Sequence, residues 1–331
     1  MMKYFLPQVC LLIIGLGLSL QIQAQWYQYQ WQVMGTSAKL ELWADSKQSA
    51  LLAKSAVHQE LYRIEQLMSP YIESSELSKI NQLAARQAVV VSDELYSILE
   101  KSLYFSTLTE GAFDISFASV GHLYQYPKAI APTDAVIDVQ RSKINYRYIQ
   151  LEPTNRSVTF KEPGVLIDLG GIAKGYAVDR AILQLKKLGI KAALVAAGGD
   201  TRIIGRRGEY PWMIAIQDPR DKQKAIIRLP LVDVAVSTSG DYERYFIRDG
   251  ERIHHIINPG TGRSISSVRS VTIIADQSIT SDALSTSVFV LGVKQGLALV
   301  NSLSSIDAII IDDKGLLHYS DGLLMPSIES Q

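Results

Sequence analysis

A single cysteine limits how this chain can be held together. It is Cys10, which lies inside an N-terminal apolar run from residue 9 to residue 20. A lysine precedes the run, and Ile22-Gln23-Ala24 has the small-x-small form of a signal peptidase site. We therefore predict a signal peptide over residues 1–24 and a mature chain over residues 25–331 without cysteine. Disulfides, thiolate metal sites and thiol nucleophiles are then excluded, so a packed core must supply the stability.

The same N-terminal run carries the expectation about localisation. An uncleaved anchor is the alternative, but the run is shorter than the roughly 20 residues that a spanning helix needs. Cys10 lies within the run and not at its end, which disfavours a lipid anchor. We expect no second apolar stretch of spanning length, and hence a periplasmic protein with no stable membrane insertion after cleavage.

The charge balance bears on possible partners. The chain has 33 basic and 33 acidic residues, so its formal net charge is zero. A chain without a basic excess lacks the electrostatic signature of a nucleic-acid-binding protein. We therefore expect no nucleic acid among its partners.

Alternating helical and strand patterns predict an α+β fold. The segment Trp31 to Trp43 alternates apolar and polar residues, which is typical of a strand with one buried face. Apolar residues then recur at helical spacing from Ser46 to Met68. With no repeat or linker, roughly 300 residues form one module with mixed sheets and flanking helices, either undivided or two-lobed.

A glycine-rich turn is the first candidate functional segment. Val165 to Leu169 is predicted to be a buried strand, and the turn at Gly170-Gly171 leads from it into a helix from Ala173 to Leu188. Glycines permit close approach of a ligand, and helix N–H groups favour an anion, so a phosphate site fits here. An ordinary strand-to-helix turn is the alternative. Lys174 lacks the flanking residues of a Walker motif.

The second candidate segment begins at Asp282. Asp282 and Thr286 lie one turn apart on a helix predicted to run to Leu291, and a further helix is predicted from Gln295 to Ser302. A carboxylate and a hydroxyl oxygen suit Mg²⁺, which is bound by few carboxylates together with phosphates and water. Asp282 could instead be an N-cap and Thr286 a packed core residue.

Three further positions combine polar or aromatic groups with turns. His254 and His255 are adjacent on a predicted strand, so their side chains point to opposite faces and one at most is catalytic. Asp114, in Gly-Ala-Phe-Asp, follows a helix and could simply be a cap. Tyr71, after a Ser-Pro break, could stack on a flat ring or cover the edge of the core.

These segments together resemble the ApbE family of FAD:protein FMN transferases. The resemblance covers essentially all of the predicted mature chain. It is carried by the motifs Met34-Gly-Thr36, Met68-Ser-Pro-Tyr71, Gly111-Ala-Phe-Asp114, DLGGIAKGYAVD at 168–179, Gly198-Gly-Asp200, STSGDYER at 237–244, the segment 254–262, and DALSTSVFVLG at 282–292.

The resemblance implies roles for particular residues. The positions that match the FAD-binding residues of the family are Met34, Tyr71, Ala112, Phe113, Asp114, Asp168, Lys174 and Ile256. Those that match its Mg²⁺ ligands are Asp282, Thr286 and the backbone carbonyl at about Gly171.

The implied reaction is a phosphoryl transfer. A threonine or serine hydroxyl of an acceptor flavoprotein, such as a subunit of a redox pump, attacks FAD, and AMP leaves. His255 is our hypothesis for the base, since an imidazole pKa near neutrality suits that role; Asp114 is the reserve candidate. Hydrolysis of FAD to FMN and AMP, and flavin binding without catalysis, are the alternatives.

Overall fold

The computed structural model describes residues 24–324, and residues 1–23 of the predicted signal peptide lie outside this range. The described chain combines helices and strands in one interleaved order. Its α-helices are α1 Lys47–Met68, α2 Glu76–Leu83, α3 Asp93–Leu108, α4 Ala118–Gly121, α5 Asp134–Gln140, α6 Ala173–Lys187, α7 Ser278–Asn301 and α8 Asp321–Leu324. Short 3₁₀ helices cover Ile115–Phe117, Tyr126–Lys128, Arg141–Lys143 and Tyr146–Tyr148.

The strands of the described chain form one large sheet and several small ones. They are β1 Gln25–Val33, β2 Thr36–Ala44, β3 Val89–Val90, β4 Ile149–Glu152, β5 Ser157–Phe160, β6 Ala193–Ala197, β7 Asp200–Ile204, β8 Trp212–Asp218, β9 Asp221–Leu231, β10 Ala235–Gly240, β11 Tyr245–Arg248, β12 Glu251–His254, β13 Ile257–Asn258, β14 Arg263–Ser264, β15 Val268–Ala275, β16 Asp307–Asp312 and β17 Leu317–Tyr319.

An eight-stranded sheet is the centre of the molecule. Its order is β1-β2-β6-β7-β10-β15-β16-β17, and each neighbouring pair is antiparallel. Helices α1, α6 and α7 pack on one face and enclose the main hydrophobic core. Alternation along β6 shows why: Ala193, Val195 and Ala197 join that core, while Leu194 faces the other way.

The opposite face of the sheet is covered by the β8–β9 hairpin. Leu194, Ile203 and Trp212 are buried there, and the Trp26 ring meets the Trp212 ring edge to face at 5.3 Å. The expected α+β class is confirmed.

The N-terminal strand prediction is wrong in one respect. The segment Trp31 to Trp43 is two strands and not one, because Met34 and Gly35 form a tight hairpin turn with φ of 53° and 66°. Polar and apolar residues alternate on both sides of the turn, so the pattern hides it. The next prediction is confirmed: α1 follows Ser46, whose side chain accepts a hydrogen bond from the Ser49 N–H.

The buried strand predicted at Val165 to Leu169 is also wrong. The segment is extended and its apolar side chains are buried, but it joins no sheet. Its backbone is paired mainly with side chains: Asn81 binds both the N–H and the C=O of Ile167, at 2.8 and 2.9 Å, and the Ser119 hydroxyl accepts from the Leu166 N–H. The Asp168 N–H donates to the Ile115 carbonyl at 2.9 Å. Side chains of α2 and α4 therefore hold the segment in place, and the segment leads into the glycine turn.

Helix α7 starts at Ser278, so Asp282 is one turn inside the helix and is not its N-cap. The prediction of two helices is confirmed, because Gly292, where φ is 75°, is not helical and separates two helical segments within Ser278–Asn301. Contrary to expectation, α7 is long and apolar enough to cross a membrane. Half of its most apolar window is buried against the sheet, as in the core helix of a folded domain.

Replacing Asn81 by Ala should destabilise the protein by about 1–3 kcal/mol, because the buried N–H and C=O of Ile167 lose their partners. Urea unfolding measures this change. Gln82→Ala, at an exposed neighbouring position of α2, is the control and should stay within about 0.5 kcal/mol of the parent. Equal effects of the two substitutions would contradict the role given to Asn81.

Candidate active site

The glycine turn before α6 gathers residues from three parts of the chain. The Asp168 carboxylate accepts a hydrogen bond from the Gly170 N–H at 2.6 Å and so fixes the turn. A Cβ at Gly171 would lie 3.2 Å from the Phe113 ring and 3.3 Å from the Thr286 hydroxyl. Any side chain at Gly171 would therefore crowd both neighbours, and the turn brings Phe113 and Thr286 together.

Lys174, in the first turn of α6, is the centre of a buried ion cluster. Its ammonium donates to the Gly170 carbonyl at 2.9 Å. It also lies 3.0 Å from Asp200 Oδ2 and 3.5 Å from Asp282 Oδ2. Both carboxylate side chains are only 4% exposed. One lysine therefore faces two buried carboxylates at the end of a helix where an anion is favoured.

The Asp282 carboxylate is held by the contact between α6 and α7. Its Oδ2 accepts a hydrogen bond from the Gly175 N–H at 2.9 Å. A Cβ at Gly175 would lie 2.2 Å from the Ser278 carbonyl oxygen, so only glycine allows the two helices this approach. Asp282 and Thr286 then lie on successive turns of α7 beside the glycine turn.

Burial sets the protonation tendencies of the cluster. Loss of water, followed by the charge of Asp200, raises the pKa of Asp282 to about 7. Burial likewise raises the pKa of Asp200. The same burial opposes a charged Lys174, but the two carboxylates outweigh it and raise the pKa of that lysine. With both carboxylates ionised, the cluster carries a net negative charge, and a bound cation would favour that ionised state.

The oxygen atoms at this position fit Mg²⁺ better than a softer metal. Asp282 contributes a carboxylate, Thr286 a hydroxyl, and the adjoining turn backbone carbonyls. Across residues 24–324, no three His, Cys, Asp or Glu side chains are grouped to hold a metal ion. Asp200 Oδ2 is buried, and among the described residues it has no hydrogen-bond partner.

A row of hydroxyl groups lies behind the two proposed metal ligands. Ser239 on β10 is 2.8 Å from the Ser285 hydroxyl and 3.4 Å from that of Thr286. Ser237, two residues earlier, is 2.7 Å from the Ser281 hydroxyl. The sequence indicates a polar loop from Ser237 to Arg244, but β10 runs to Gly240, so Ser237 and Ser239 lie on the strand. Their pairing with α7 depends on how the sheet packs against the helix.

The adjacent histidines have different environments. His254 is buried and satisfied: its Nε2 lies 2.6 Å from the Ile265 carbonyl, and its Nδ1 accepts from the Ile256 N–H. The strand ends at His254, so His255 lies just beyond it. Nδ1 of His255 is buried and has no partner in the described chain.

The expected near-neutral pKa of His255 differs from what the structure gives. Burial, and then the neighbouring His254 and Arg244, lower the pKa of His255 to about 3. The imidazole is therefore neutral at physiological pH. Its backbone N–H donates to the Arg244 carbonyl at 3.1 Å, which ties it to the polar loop after β10.

Asp114 has a structural role in the described chain. Its Oδ1 accepts from the backbone N–H and the hydroxyl of Ser116, at 2.8 and 2.6 Å, and its Oδ2 accepts from the Tyr146 N–H at 2.8 Å. Both oxygens are occupied in holding the loop that contains Phe113. Burial nevertheless raises the pKa of Asp114. Its assignment as a base or metal support stays a prediction.

The remaining predicted residues lie at different depths. Tyr71 is 85% exposed and lies near Asp168. Met34 is half-buried at the β1–β2 turn, where Arg244 donates to the Gly35 carbonyl at 3.4 Å. The other predicted FAD-binding residues are less exposed than Tyr71. Ala112 is half-buried, and Phe113 and Ile256 are buried.

Two charged residues of the site, Asp200 and Arg244, were not predicted from the sequence. Asp200 belonged to a recognised Gly-Gly-Asp turn, and Arg244 to the polar loop after β10, but neither received a role. The signal for Asp200 was available: an acid directly after two glycines, at the end of a buried strand. Its pairing with Lys174 could not be foreseen because it depends on tertiary packing.

A half-buried lysine and two buried aspartates at a glycine turn form a site that suits a phosphate-containing ligand when a cation offsets the carboxylates. The family model described as ApbE family matches residues 34–310. The chain therefore belongs to the ApbE family.

Individual relatives agree. An FAD:protein FMN transferase of Vibrio cholerae is 32% identical over 292 residues, covering 86% of this chain and 85% of the relative, and one of Escherichia coli K12 is 33% identical over 268 residues, covering 77% and 75%. The ApbE protein of Thermotoga maritima superposes with a TM-score of 0.84 at 36% identity, covering 91% and 98% of the two chains. The flavin transferase ApbE of V. cholerae gives 0.80 at 29%, covering 91% and 99%. The protein is a transferase.

Replacing Lys174 by Met should destabilise the fold by about 3–5 kcal/mol, because it leaves two buried carboxylates without their cation. Chemical denaturation at neutral pH without added metal measures the change. Lys187→Met, at the exposed end of the same helix, is the matched control and should have little effect. A loss below about 1 kcal/mol for Lys174→Met would contradict the ion cluster.

Proposed function

We propose that this transferase moves the FMN half of FAD to a threonine or serine hydroxyl of an acceptor protein, with AMP as the second product. The observation that carries the proposal is the Lys174 ammonium held beside the glycine turn and α6, where a pyrophosphate would be favoured. The names of the relatives supply FAD as the substrate and a protein as the acceptor.

The proposed step breaks a phosphoanhydride bond and forms a phosphoester bond. The acceptor oxygen forms a bond to the phosphorus on the FMN side of the pyrophosphate. The bond from that phosphorus to the bridging oxygen breaks, and AMP leaves with that oxygen. The hydroxyl proton passes to a base, for which we propose His255, because its Nδ1 has no competing partner in the described chain. A pKa of about 3 opposes proton uptake, so this role requires the negative charge of the bound pyrophosphate to raise that pKa.

We further propose that Asp282, Thr286 and the carbonyl of Gly171 hold Mg²⁺. When bound, the ion would neutralise charge on the pyrophosphate oxygens. The chain's own residues do the rest: Gly175 orients the Asp282 carboxylate, and Lys174 adds a second positive charge near the leaving phosphate. Positioning and charge neutralisation are the main demands of such a transfer.

Aromatic and apolar side chains of the site would contact the ring systems of FAD. Tyr71 presents an exposed aromatic face beside Asp168, and Met34 and Phe113 offer apolar contacts nearer the glycine turn. Ala112 and Ile256 complete the proposed FAD site, with Asp114 holding its loop.

We propose that the enzyme works in the periplasm. The support is the predicted signal peptide, residues 1–24, whose apolar run is preceded by a lysine and followed by a small-x-small site. The acceptor would then be an exported flavoprotein or an exposed domain of a membrane redox pump.

Protein purified after export should convert an acceptor protein into a covalently fluorescent species in the presence of FAD and Mg²⁺. The measurement is flavin fluorescence of the acceptor band after denaturing electrophoresis, with AMP release followed in parallel. Equal amounts of bound flavin and AMP are expected. AMP release at the same rate without acceptor would indicate hydrolysis, and intact FAD with a verified acceptor would indicate a flavin-binding protein; either result contradicts the proposal.

Asp282→Ala should reduce transfer by about 100-fold, because it removes the one carboxylate assigned to the metal. Asp276→Ala is the matched control: it makes the same change at an exposed position shortly before α7 and should keep full activity. Circular dichroism of both variants checks the fold. Full activity of a folded Asp282→Ala protein would refute the metal assignment.

A further inference from the structure

Asp200 is a buried carboxylate to which the proposed reaction gives no role. It is the first residue of β7, and its side chain is only 4% exposed. Its Oδ2 lies 3.0 Å from the Lys174 ammonium. A carboxylate buried in this way is costly unless a charge compensates it, so its position beside Lys174 needs an explanation.

The distances around Lys174 are unequal. Its Nζ is 3.0 Å from Asp200 Oδ2 but 3.5 Å from Asp282 Oδ2. The ammonium is therefore closer to Asp200, although both carboxylates are equally buried. The Gly175 N–H also binds Asp282 through Oδ2, at 2.9 Å. Both described contacts of the Asp282 carboxylate use one oxygen, so a cation would take the other.

The backbone before Asp200 is built for this contact. Gly198 and Gly199 have φ of 58° and 97°, a region that favours glycine. A Cβ at Gly198 would lie 2.9 Å from Thr36 and 3.2 Å from the Lys174 side chain, and one at Gly199 would lie 2.9 Å from the Thr238 carbonyl. The turn is thus enclosed on both sides, which fixes where the Asp200 carboxylate stands.

We propose that Asp200 is a positioning residue that holds the Lys174 ammonium away from Asp282, so that Asp282 stays available to a divalent cation. The proposal rests on the metal site of the proposed function.

The test is Mg²⁺ binding by the full chain without flavin or acceptor, measured by titration calorimetry. Asp200→Asn should weaken Mg²⁺ binding by about 10-fold or more, the usual effect of removing a residue that supports a metal ligand. Transfer activity should recover at saturating Mg²⁺, so the Mg²⁺ requirement rises while kcat changes little. Asp276→Asn, at an exposed position, is the control and should bind Mg²⁺ as the parent does.

A double-mutant comparison separates positioning from direct ligation. If Asp200 acts through Lys174, adding Asp200→Asn to Lys174→Met should change Mg²⁺ affinity far less than adding it to the parent. If Asp200 were itself a ligand, the loss would be the same in both backgrounds, and the proposal would be wrong.

Two further arms keep the test decisive. Lys174→Met alone should bind Mg²⁺ more tightly than the parent, because the competing ammonium is gone; this arm does not require Asp200→Asn to fold. Weaker binding by Lys174→Met, or no Mg²⁺ binding by the parent, would overturn the proposal. Because flavin and acceptor are absent, a failure of FMN transfer in the separate activity assay would leave the binding result unaffected.

Discussion

The contact between α6 and α7 at Gly175 is the constraint on which the site depends. No larger residue fits there, since its Cβ would stand 2.2 Å from the Ser278 carbonyl. Three hydrogen bonds accompany the contact. Gly175 donates to Asp282, and Asp179, one turn further along α6, accepts from the N–H groups of Ser278 and Ile279. One helix therefore caps the start of the other and orients its acid, so helix packing and site geometry have the same cause.

The ion cluster is an expensive feature in a core that is otherwise apolar. The core around α7 contains apolar side chains such as those of Ala283, Leu284 and Phe289, all fully or almost fully buried. Placing Asp282 among them contributes little to stability, since buried ion pairs barely recover the free energy of removing charge from water. Retaining such a group on the most apolar long helix of the described chain favours a functional explanation over a structural one.

Sequence reasoning predicted the elements whose signals are local. The helical spacing of apolar residues from Ser46 to Met68 defines α1 directly. Asp282 and Thr286 were found because residues four apart share a helix face. The strand at Val165 to Leu169 was wrong because its backbone partners are side chains of Asn81 and Ser119, and an apolar run does not reveal what its N–H groups bind.

The pairings that make the site are of a different kind. Lys174 and Asp282 are 108 residues apart in sequence, and Ser239 and Ser285 are 46 apart. No periodicity connects such residues, because their contact arises when α6 and α7 settle on the sheet. Family resemblance could name Lys174 and Asp282 individually. It could not show that Asp200 lies closer to the lysine than Asp282 does, which is a property of the packed structure.

Side-chain exposure falls steeply from Tyr71 to the ion cluster, and this difference bears on how a transferase avoids hydrolysis. Tyr71 is 85% exposed, whereas the Asp200 and Asp282 side chains are 4% exposed. In the proposed reaction, water competes with the acceptor hydroxyl for the same phosphorus. A ligand whose rings cover Tyr71 would keep water away from the buried Asp200 and Asp282 carboxylates. Electrostatic interactions at these carboxylates would then strengthen. The acceptor hydroxyl would then be the nucleophile with access, which is the condition that separates transfer from hydrolysis.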